Sequence, residues 1–543
     1  MTAPCEQTMH LPQFCYDQET GEPVCQPLKT LEKLLQWTPN KDTEHGKAVV
    51  HLQTCTPKQP NSPRTTLCHD MKGGYLEDRF VNGVQQADPY RFYHWQYIDS
   101  FIYFSHSFIT IPPCGWTNAA HRHGVQMMGT LITEWDDGYK LCHKFLESLD
   151  ILNQVIDQMV KIAKYYNFEG WLVNIENKIE KEQVPKLIEF VKRLTEKMHA
   201  EIPNSTVLWY DSVTIHGNLK WQDQLNDLNK AYFDVCDGIF LNYGWKDKGL
   251  ESSAKMAVDA GRPVDVYVGV DVFGRSGFKG GYDVKEALDA VNKHNMSIAL
   301  FAQGWVYETQ GVENFMENEN RFWENIRNCF HVHGPTSLPL STSFCQGFGR
   351  KYYMEGKVEE EAAWHNLTKQ ELQPTFLNSQ FKSPASSCKG NQCMRLCNSD
   401  AYKGGGCLEL TGTPQGDVLC YRLFSALIQI PGPLKIEYVY KITAGKRVDL
   451  FMEMQIFVDD AESLLIVRGL SASEKDGVQE KVSCHGKEYV AGEKCVNGWC
   501  KRSVIIKEES LLGAAIVGLN FGCVSKTEEP FKILIGELQI AEA

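Results

Sequence analysis

The stretch GWLVNIENKI, residues 170–179, decides how this chain folds. An apolar run of strand length is interrupted there by Asn174 and Glu176, two positions apart. Side chains two apart in a strand share a face. Asn174 and Glu176 therefore point together with Leu172 below them, while Trp171, Val173 and Ile175 turn toward surrounding helices.

Working outward, seven more segments of strand length flank this one: RTTLCHDM (64–71), SFIYFSHSF (100–108), GVQMMGTLI (124–132), TVLWYDSV (206–213), GIFLNYGW (238–245), VDVYVGVDVFG (264–274) and SIALFAQGW (297–305). Each is rich in β-branched or aromatic residues. Amphipathic helices separate several of them. Leu152, Val155, Ile156, Met159, Ile162, Ala163 and Tyr166 fall on one helical face, and Val184, Leu187, Ile188, Val191, Leu194 and Met198 on another. YDVKEALDAVNKHN (282–295) predicts a third helix, whereas residues 72–99 are rich in Gly, Asp and Tyr and predict none. Eight strands with intervening helices match a (β/α)8 TIM-like barrel in length and order. The alternative is a doubly wound open sheet, which usually carries a Gly-rich phosphate turn after its first strand; KGGY is a poor one.

After about residue 340 the periodicity changes to two. VLCYRLFSALIQI, LKIEYVYKI, VDLFMEMQIFV, SLLIVRGLS, GAAIVGLNFG and FKILIGELQI predict an all-β sandwich. The expected organisation is an N-terminal extension packing on the barrel (1–60), the barrel (61–340), a connecting segment (341–385) and a β-sandwich (386–543) that either binds carbohydrate or braces the barrel.

In such a barrel the active site lies at the C-terminal ends of the strands, where Asn174 and Glu176 come. Burial raises a carboxyl's pKa, and a raised pKa suits a general acid near neutral pH; the plain alternative is a helix cap or a pair with Lys178. Other strand ends add Trp209, Tyr210 and Asp211; Asn242, Tyr243 and Trp245; Asp271, Phe273 and Arg275; Gln303, Trp305 and Tyr307. His106 comes from the second, and Glu134 and Trp135 follow the third. Rings beside amides and carboxylates suit a sugar, with its apolar C–H face and hydroxyl rim; each aromatic singly is more readily core or rim packing, and their recurrence at one end of successive strands is the stronger sign.

GWLVNIENKI, with LCHDMKGGY, LWYDSVT, LKWQDQLN, FLNYGW, VGVDVFGR, QGWVYE and WHNLTKQELQPT, resembles the family-85 glycoside hydrolases, and among them the animal cytosolic endo-β-N-acetylglucosaminidases. The resemblance implies cleavage between the two GlcNAc residues of the chitobiose core, with N-glycans, glycopeptides and free oligosaccharides as partners. It further implies a retaining mechanism in which the substrate's own 2-acetamido oxygen attacks C1. The residues suit this, because an enzyme nucleophile would need a second carboxylate about 5–5.5 Å from the acid and the partner on the same strand is an amide. The implied roles are Glu176 as general acid and then base, Asn174 orienting the acetamido group, and Tyr210 assisting the acid. Trp245, Trp305, Trp221, Asn242, Tyr307, Glu134 and Phe273 are the expected substrate-binding residues. No cofactor or metal is expected, and transfer to a sugar acceptor is an expected side activity.

Other classes fit less well. A net charge of -13 disfavours nucleic acid. A mean hydropathy of -0.33, with no apolar run near ~20 residues, disfavours a membrane span. The N-terminal MTAPCEQTMHLPQFCYDQETG lacks a basic and then apolar segment, so a cytosolic location with reduced thiols is expected for the 19 cysteines. The groups Cys388, Cys393, Cys397, Cys407 and Cys484, Cys495, Cys500 contain no CxxC pair. His121 and His123 of HRH are expected at the surface or a strand edge. A chitinase-like enzyme would carry DxxDxDxE, whose aspartates GWLVNIEN lacks. A lectin-like barrel or an interaction protein working through the β half are the remaining rivals; a lectin has no need of an acid at Glu176.

Overall fold

The computed structural model describes residues 15–275, 278–377, 392–414, 418–445, 447–458, 461–469, 487–525 and 527–543. Its centre is a closed barrel of eight parallel strands: β1 (Thr65–His69), β2 (Ser100–Tyr103), β3 (Gln126–Glu134), β4 (Gly170–Glu176), β5 (Thr206–Tyr210), β6 (Gly238–Leu241), β7 (Val266–Asp271) and β8 (Ser297–Phe301). Each strand pairs with the next, and β8 returns to β1. Closure excludes the doubly wound sheet. Seven of the strands fall inside the segment predicted for them, and β3 runs two residues past its own, to Glu134. A two-residue antiparallel strand, Ile109–Thr110, also joins the far side of β3.

Period-two alternation sorts the barrel into two cores. Cys68, Ile102, Met128, Leu172, Leu208, Phe240, Tyr267 and Ala299 fill the interior. Their sequence neighbours Leu67, Phe101, Met127, Trp171, Val207, Ile239 and Val268 face outward into the helix layer. A one-residue slip would exchange the two sets, so register is strongly specified.

The helix Leu149–Tyr166 buries Leu152, Val155, Ile156, Met159, Ile162 and Ala163, starts at the Ser148 cap and ends where Asn167 turns left-handed. Val184–Glu201 buries Val184, Leu187, Val191, Leu194 and Met198. The third helix is shorter than its pattern, Lys285–Asn292, because Gly281–Asp283 forms a 3-10 turn ahead of it. Between β1 and β2 only the short turns Glu77–Arg79 and Trp95–Tyr97 occur, as expected. The chain before β1 packs outside: Trp37 meets Tyr165 and Tyr166, and Gln158 Nε2 donates to the carbonyls of Leu34, Leu35 and Trp37.

The C-terminal part is two antiparallel-rich sheets packed face to face. One runs Gln392–Cys397, Cys407–Gly412, Phe531–Glu542, Leu434–Ala444, Trp499–Ile506, Gly492–Val496, with Leu340–Thr342 also on Phe531–Glu542. The other runs Leu419–Gln429, Ala515–Ser525, Val448–Val458, Ala461–Arg468, Lys487–Val490. All six predicted strands are present. Tyr438 of the first sheet meets Phe521 of the second at 5.6 Å. Residues 341–377 are more ordered than a plain connection. The strand Trp364–Gln370 lies on the helix Cys114–Arg122, where Arg122 Nη1 donates to the carbonyls of Thr368 and Gln370.

Two expectations need correction. Cys495 and Cys500 are disulfide-bonded, not reduced. Asn497 and Gly498, both at positive φ, make the two-residue turn that sets those cysteines opposite each other. Cys388 and Cys484 lie outside the described residues. His121 and His123 are buried at the end of a helix, not at the surface or a strand edge. They face separate partners: His121 bonds Val50 O and Glu169, and His123 bonds Ala119 O and accepts from Gln373 N. Among the described residues no helix is long and apolar enough to cross a membrane.

Candidate active site

β4 carries the polar pair into the mouth of the barrel. Leu172 lies in the interior cluster and Trp171, Val173 and Ile175 in the outer one, so Asn174 and Glu176 are on the inner face above Leu172. Asn174 is buried and Glu176 half-buried. Asn174 Nδ2 donates to Glu176 Oε1 at 3.3 Å. Burial raises the Glu176 pKa above the ordinary 4.5; the charge of Glu134 adds to the rise, while the Asn174 hydrogen bond and His106 oppose it. Lys178 is exposed and, among the described residues, forms no ion pair with Glu176, while the helical segments that follow start from N-caps at Glu180 and Gln183 rather than at Glu176.

Glu134, the last residue of β3, is the direct neighbour of Glu176 across the parallel ladder. Its two oxygens both lie 3.1 Å from His106 Nδ1. That hydrogen bond raises the histidine's pKa. His106, Glu134 and Glu176 thus form a row, with one carboxylate engaged by an imidazole and the other held by an amide.

On the opposite side, the buried Tyr210 ends β5 and donates its hydroxyl to Asn242 Oδ1 at 2.8 Å. The Asn242 amide orientation follows from its other end, since Nδ2 donates to Asp223 Oδ1 at 2.7 Å. Asp223 also accepts from Gly244 N, and its own N–H donates to Asp211. Asp211 is nearly fully buried, and burial lifts its pKa to about 6 against the N–H groups and the Asn229 amide it accepts. This chain ties the loop after β5 to β6 and fixes where the Tyr210 oxygen sits. Burial, then the charge of Glu176, pushes the phenol well above its usual pKa, so Tyr210 is a neutral hydroxyl.

The expected sugar platforms divide. Trp221, on the loop after β5, is exposed. Phe273 is half-buried under Arg275, whose guanidinium is 4.9 Å from its ring and makes two 2.9 Å bonds to Asp271. Trp245 is only 2% exposed; its Nε1 donates to Gly269 O and its ring packs on Phe278 at 4.4 Å. It is core here, which corrects the expectation. Trp305 opens a short helix and is wedged among Gly281, Tyr282 and Phe322, on the outer layer. Tyr307 spends its hydroxyl on Asp88 O and its ring on Tyr90 and Phe315, bracing the β1–β2 connection. An aromatic near a strand end reads alike in sequence whether it faces the mouth or a neighbouring helix.

Two residues that matter to the geometry are not among the expected site residues, although the sequence reading places Trp135 at the end of its strand. Asp223 lies within KWQDQLN with no local pattern marking it. Trp135 follows Glu134 directly and is the more conspicuous: it is 71% exposed and has φ +53°. A cavity of about 290 Å³ lined by Gln96, Arg122, His123 and His333 lies at the opposite end of the barrel, away from these groups.

The arrangement sets a carboxyl and an amide on β4 beside a neutral phenol on the adjacent β5, groups whose chemistry suits a polar, hydroxylated substrate. Residues 75–352 match the family model described as glycosyl hydrolase family 85. The curated cytosolic endo-beta-N-acetylglucosaminidase of Mus musculus is 39% identical over 98% of this chain and 73% of its own length. That of Homo sapiens is 38% identical over 98% and 73%. That of Danio rerio is 44% identical over 81% of this chain and 62% of its own length. The chain therefore spans 62–73% of these relatives. Among solved structures, the glycoside hydrolase domain of Endo-D from Streptococcus pneumoniae R6 superposes with a TM-score of 0.75 at 20% identity, covering 96% of this chain and 83% of that one. At that identity the likeness speaks for the fold.

Proposed function

The chain belongs to glycosyl hydrolase family 85, and from that premise we propose that it is an endo-β-N-acetylglucosaminidase cleaving the GlcNAc-β1,4-GlcNAc bond in the chitobiose core of N-glycans, glycopeptides and free oligosaccharides. The observation that carries the proposal is the pair on β4: Asn174 and Glu176 on one face, 3.3 Å apart, at the C-terminal end of the barrel. The relatives' names support the activity and also a cytosolic location.

In this mechanism Glu176, whose protonated form is favoured by burial and by the neighbouring Glu134 charge, gives its proton to the oxygen of the leaving GlcNAc. The Asn174 amide binds the 2-acetamido group of the other GlcNAc and aims its oxygen at C1, so that an oxazolinium forms with no protein nucleophile. Glu176, now a carboxylate, takes a proton from the incoming water, and the product keeps its anomeric configuration. Tyr210, held by Asn242, supports the acid. Trp221 and Phe273 are proposed sugar contacts, and Asn242 and Glu134 line the same mouth. Because an amide polarises the intermediate less firmly than a carboxylate, a sugar hydroxyl competes with water and transglycosylation accompanies hydrolysis.

One observation favours a second scheme. Glu134 stands level with Glu176 on the adjacent strand, and such strands are ~4.8 Å apart, so it is the carboxylate placed to serve as nucleophile in a two-carboxylate retaining scheme. Its engagement by His106 through both oxygens argues for a supporting role. Weighing the products from a labelled N-glycopeptide tests the main proposal. Peptide retaining one GlcNAc supports it; intact substrate, or removal of the whole glycan to leave Asp, rejects it. Intact substrate bound without turnover would instead favour a lectin-like protein.

A further inference from the structure

Resting on the glycan-cleaving function proposed above, we propose that Trp135 is a specificity-determining residue that stacks on a sugar ring of the substrate beyond the two GlcNAc units flanking the cleaved bond. Isolated exposed hydrophobics are ordinary, but Trp135 combines exposure with a backbone conformation that its residue type disfavours. It is 71% exposed and left-handed at φ +53°. For a bulky residue that conformation is a genuine outlier, and such outliers persist where the surroundings impose them, often at functional sites.

The surroundings here are visible. β3 runs into the helix Trp135–Phe145 with no loop between them. Gly138, in the helix's first turn, sits so tightly on the strand ends that a Cβ would stand 2.5 Å from Asn177 Oδ1 and 2.8 Å from the Thr133 carbonyl carbon. Cys142 then meets Thr133 at 3.3 Å. With the helix clamped to β3 and β4, the whole chain reversal falls on residue 135. Glycine would make that turn without strain; a tryptophan makes it and then projects its indole into solvent.

The position is as telling as the strain. Residue 135 is one step beyond Glu134, which is level with Glu176 on the next strand. β4 therefore has an exposed tryptophan on each side, Trp135 after β3 and Trp221 after β5. A largely exposed indole one residue from Glu134 is suited to the apolar C–H face of a pyranose.

The experiment compares wild-type protein with Trp135→Ala and Trp135→Gly on two substrates, an intact N-glycopeptide and one trimmed to a single mannose on the chitobiose core. The expected result is a KM about tenfold higher for the intact glycan, kcat within about threefold, and no change for the trimmed substrate. Melting temperature should hold or rise in Trp135→Gly, which relieves the backbone; a fall would mark Trp135 as a packing residue and overturn the inference. An equal KM change on both substrates, or none on either, would overturn it while leaving the activity standing. Wild-type protein inert on both would overturn the proposed function and this inference together. Binding of the intact glycopeptide to Glu176→Gln should likewise be about tenfold tighter than to Glu176→Gln/Trp135→Ala, and equal affinities would count against stacking.

Discussion

Replacing Glu176 with Gln tests the chemistry most directly, because the structure separates its chemical from its structural contribution. The Gln Oε1 can accept the same 3.3 Å bond from Asn174, no ion pair is lost, and the shape is unchanged. What disappears is the proton. A positioned general acid contributes ~10²–10⁴ in rate, so kcat on an N-glycopeptide should fall by that factor, about 2.7–5.4 kcal/mol at 1.36 kcal/mol per tenfold. A substrate with nitrophenol replacing the leaving GlcNAc departs without protonation. Its first-turnover release should therefore slow by no more than about tenfold. The pH dependence carries the same signature. Activity needs the protonated carboxyl, so it falls as pH rises through a Glu176 pKa lifted above 4.5 by burial and by Glu134, and this limb disappears in the variant. The melting temperature above pH 4.5 should hold or rise, because a carboxyl costly to ionise has been replaced by a neutral amide. The assay is rapid-quench release from both substrates, with a thermal scan. Equal losses for both leaving groups would refute the acid role and make Glu176 a positioning residue; a loss below about fivefold on the glycopeptide would refute its catalytic importance.

Glu134→Gln removes the charge that helps keep Glu176 protonated; the alkaline limb should move to lower pH with activity retained. Collapse of activity with azide rescue to a glycosyl azide would instead identify Glu134 as nucleophile. Tyr210→Phe deletes the 2.8 Å donor to Asn242, a loss of about 1–2 kcal/mol that should lower kcat by about 5–30-fold; a change confined to KM would contradict assistance to the acid. Glu319 lies far from this chemistry, fully buried, with one oxygen on Trp323 Nε1 and burial lifting its pKa to about 8. Since the folded pKa exceeds the unfolded one, its contribution is fully present below about pH 4.5 and is lost as pH rises toward 8. Glu319→Gln should therefore stabilise at pH 8 by an amount on the order of a few kcal/mol and do nothing at pH 4, as read by denaturant titration at both pH values.

Much of this architecture is present in the linear chain. The alternation in GWLVNIENKI, with Leu172 in one core and Trp171 in the other, is a local consequence of strand geometry. Eight such segments and two helical stripes suffice for a barrel. The VNGW turn at 496–499 also carried, unread, the cross-strand position of Cys495 and Cys500. What could not be read locally are meetings between distant residues. His106 and Glu134 are 28 positions apart, and Asn242 and Asp223 are 19 apart; no short-range pattern marks either. Trp245 was misassigned for the same reason, since the carbonyl that captures its indole belongs to β7.

The sequence by itself determined that Asn174 and Glu176 share a face above Leu172, because a two-residue period admits no other outcome once the segment is a strand. Only the tertiary structure decided which rings stand open and which carboxylate meets an imidazole. Those depend on the lateral register of neighbouring strands and on how closely each helix is clamped to the barrel, and both are set by contacts across the fold.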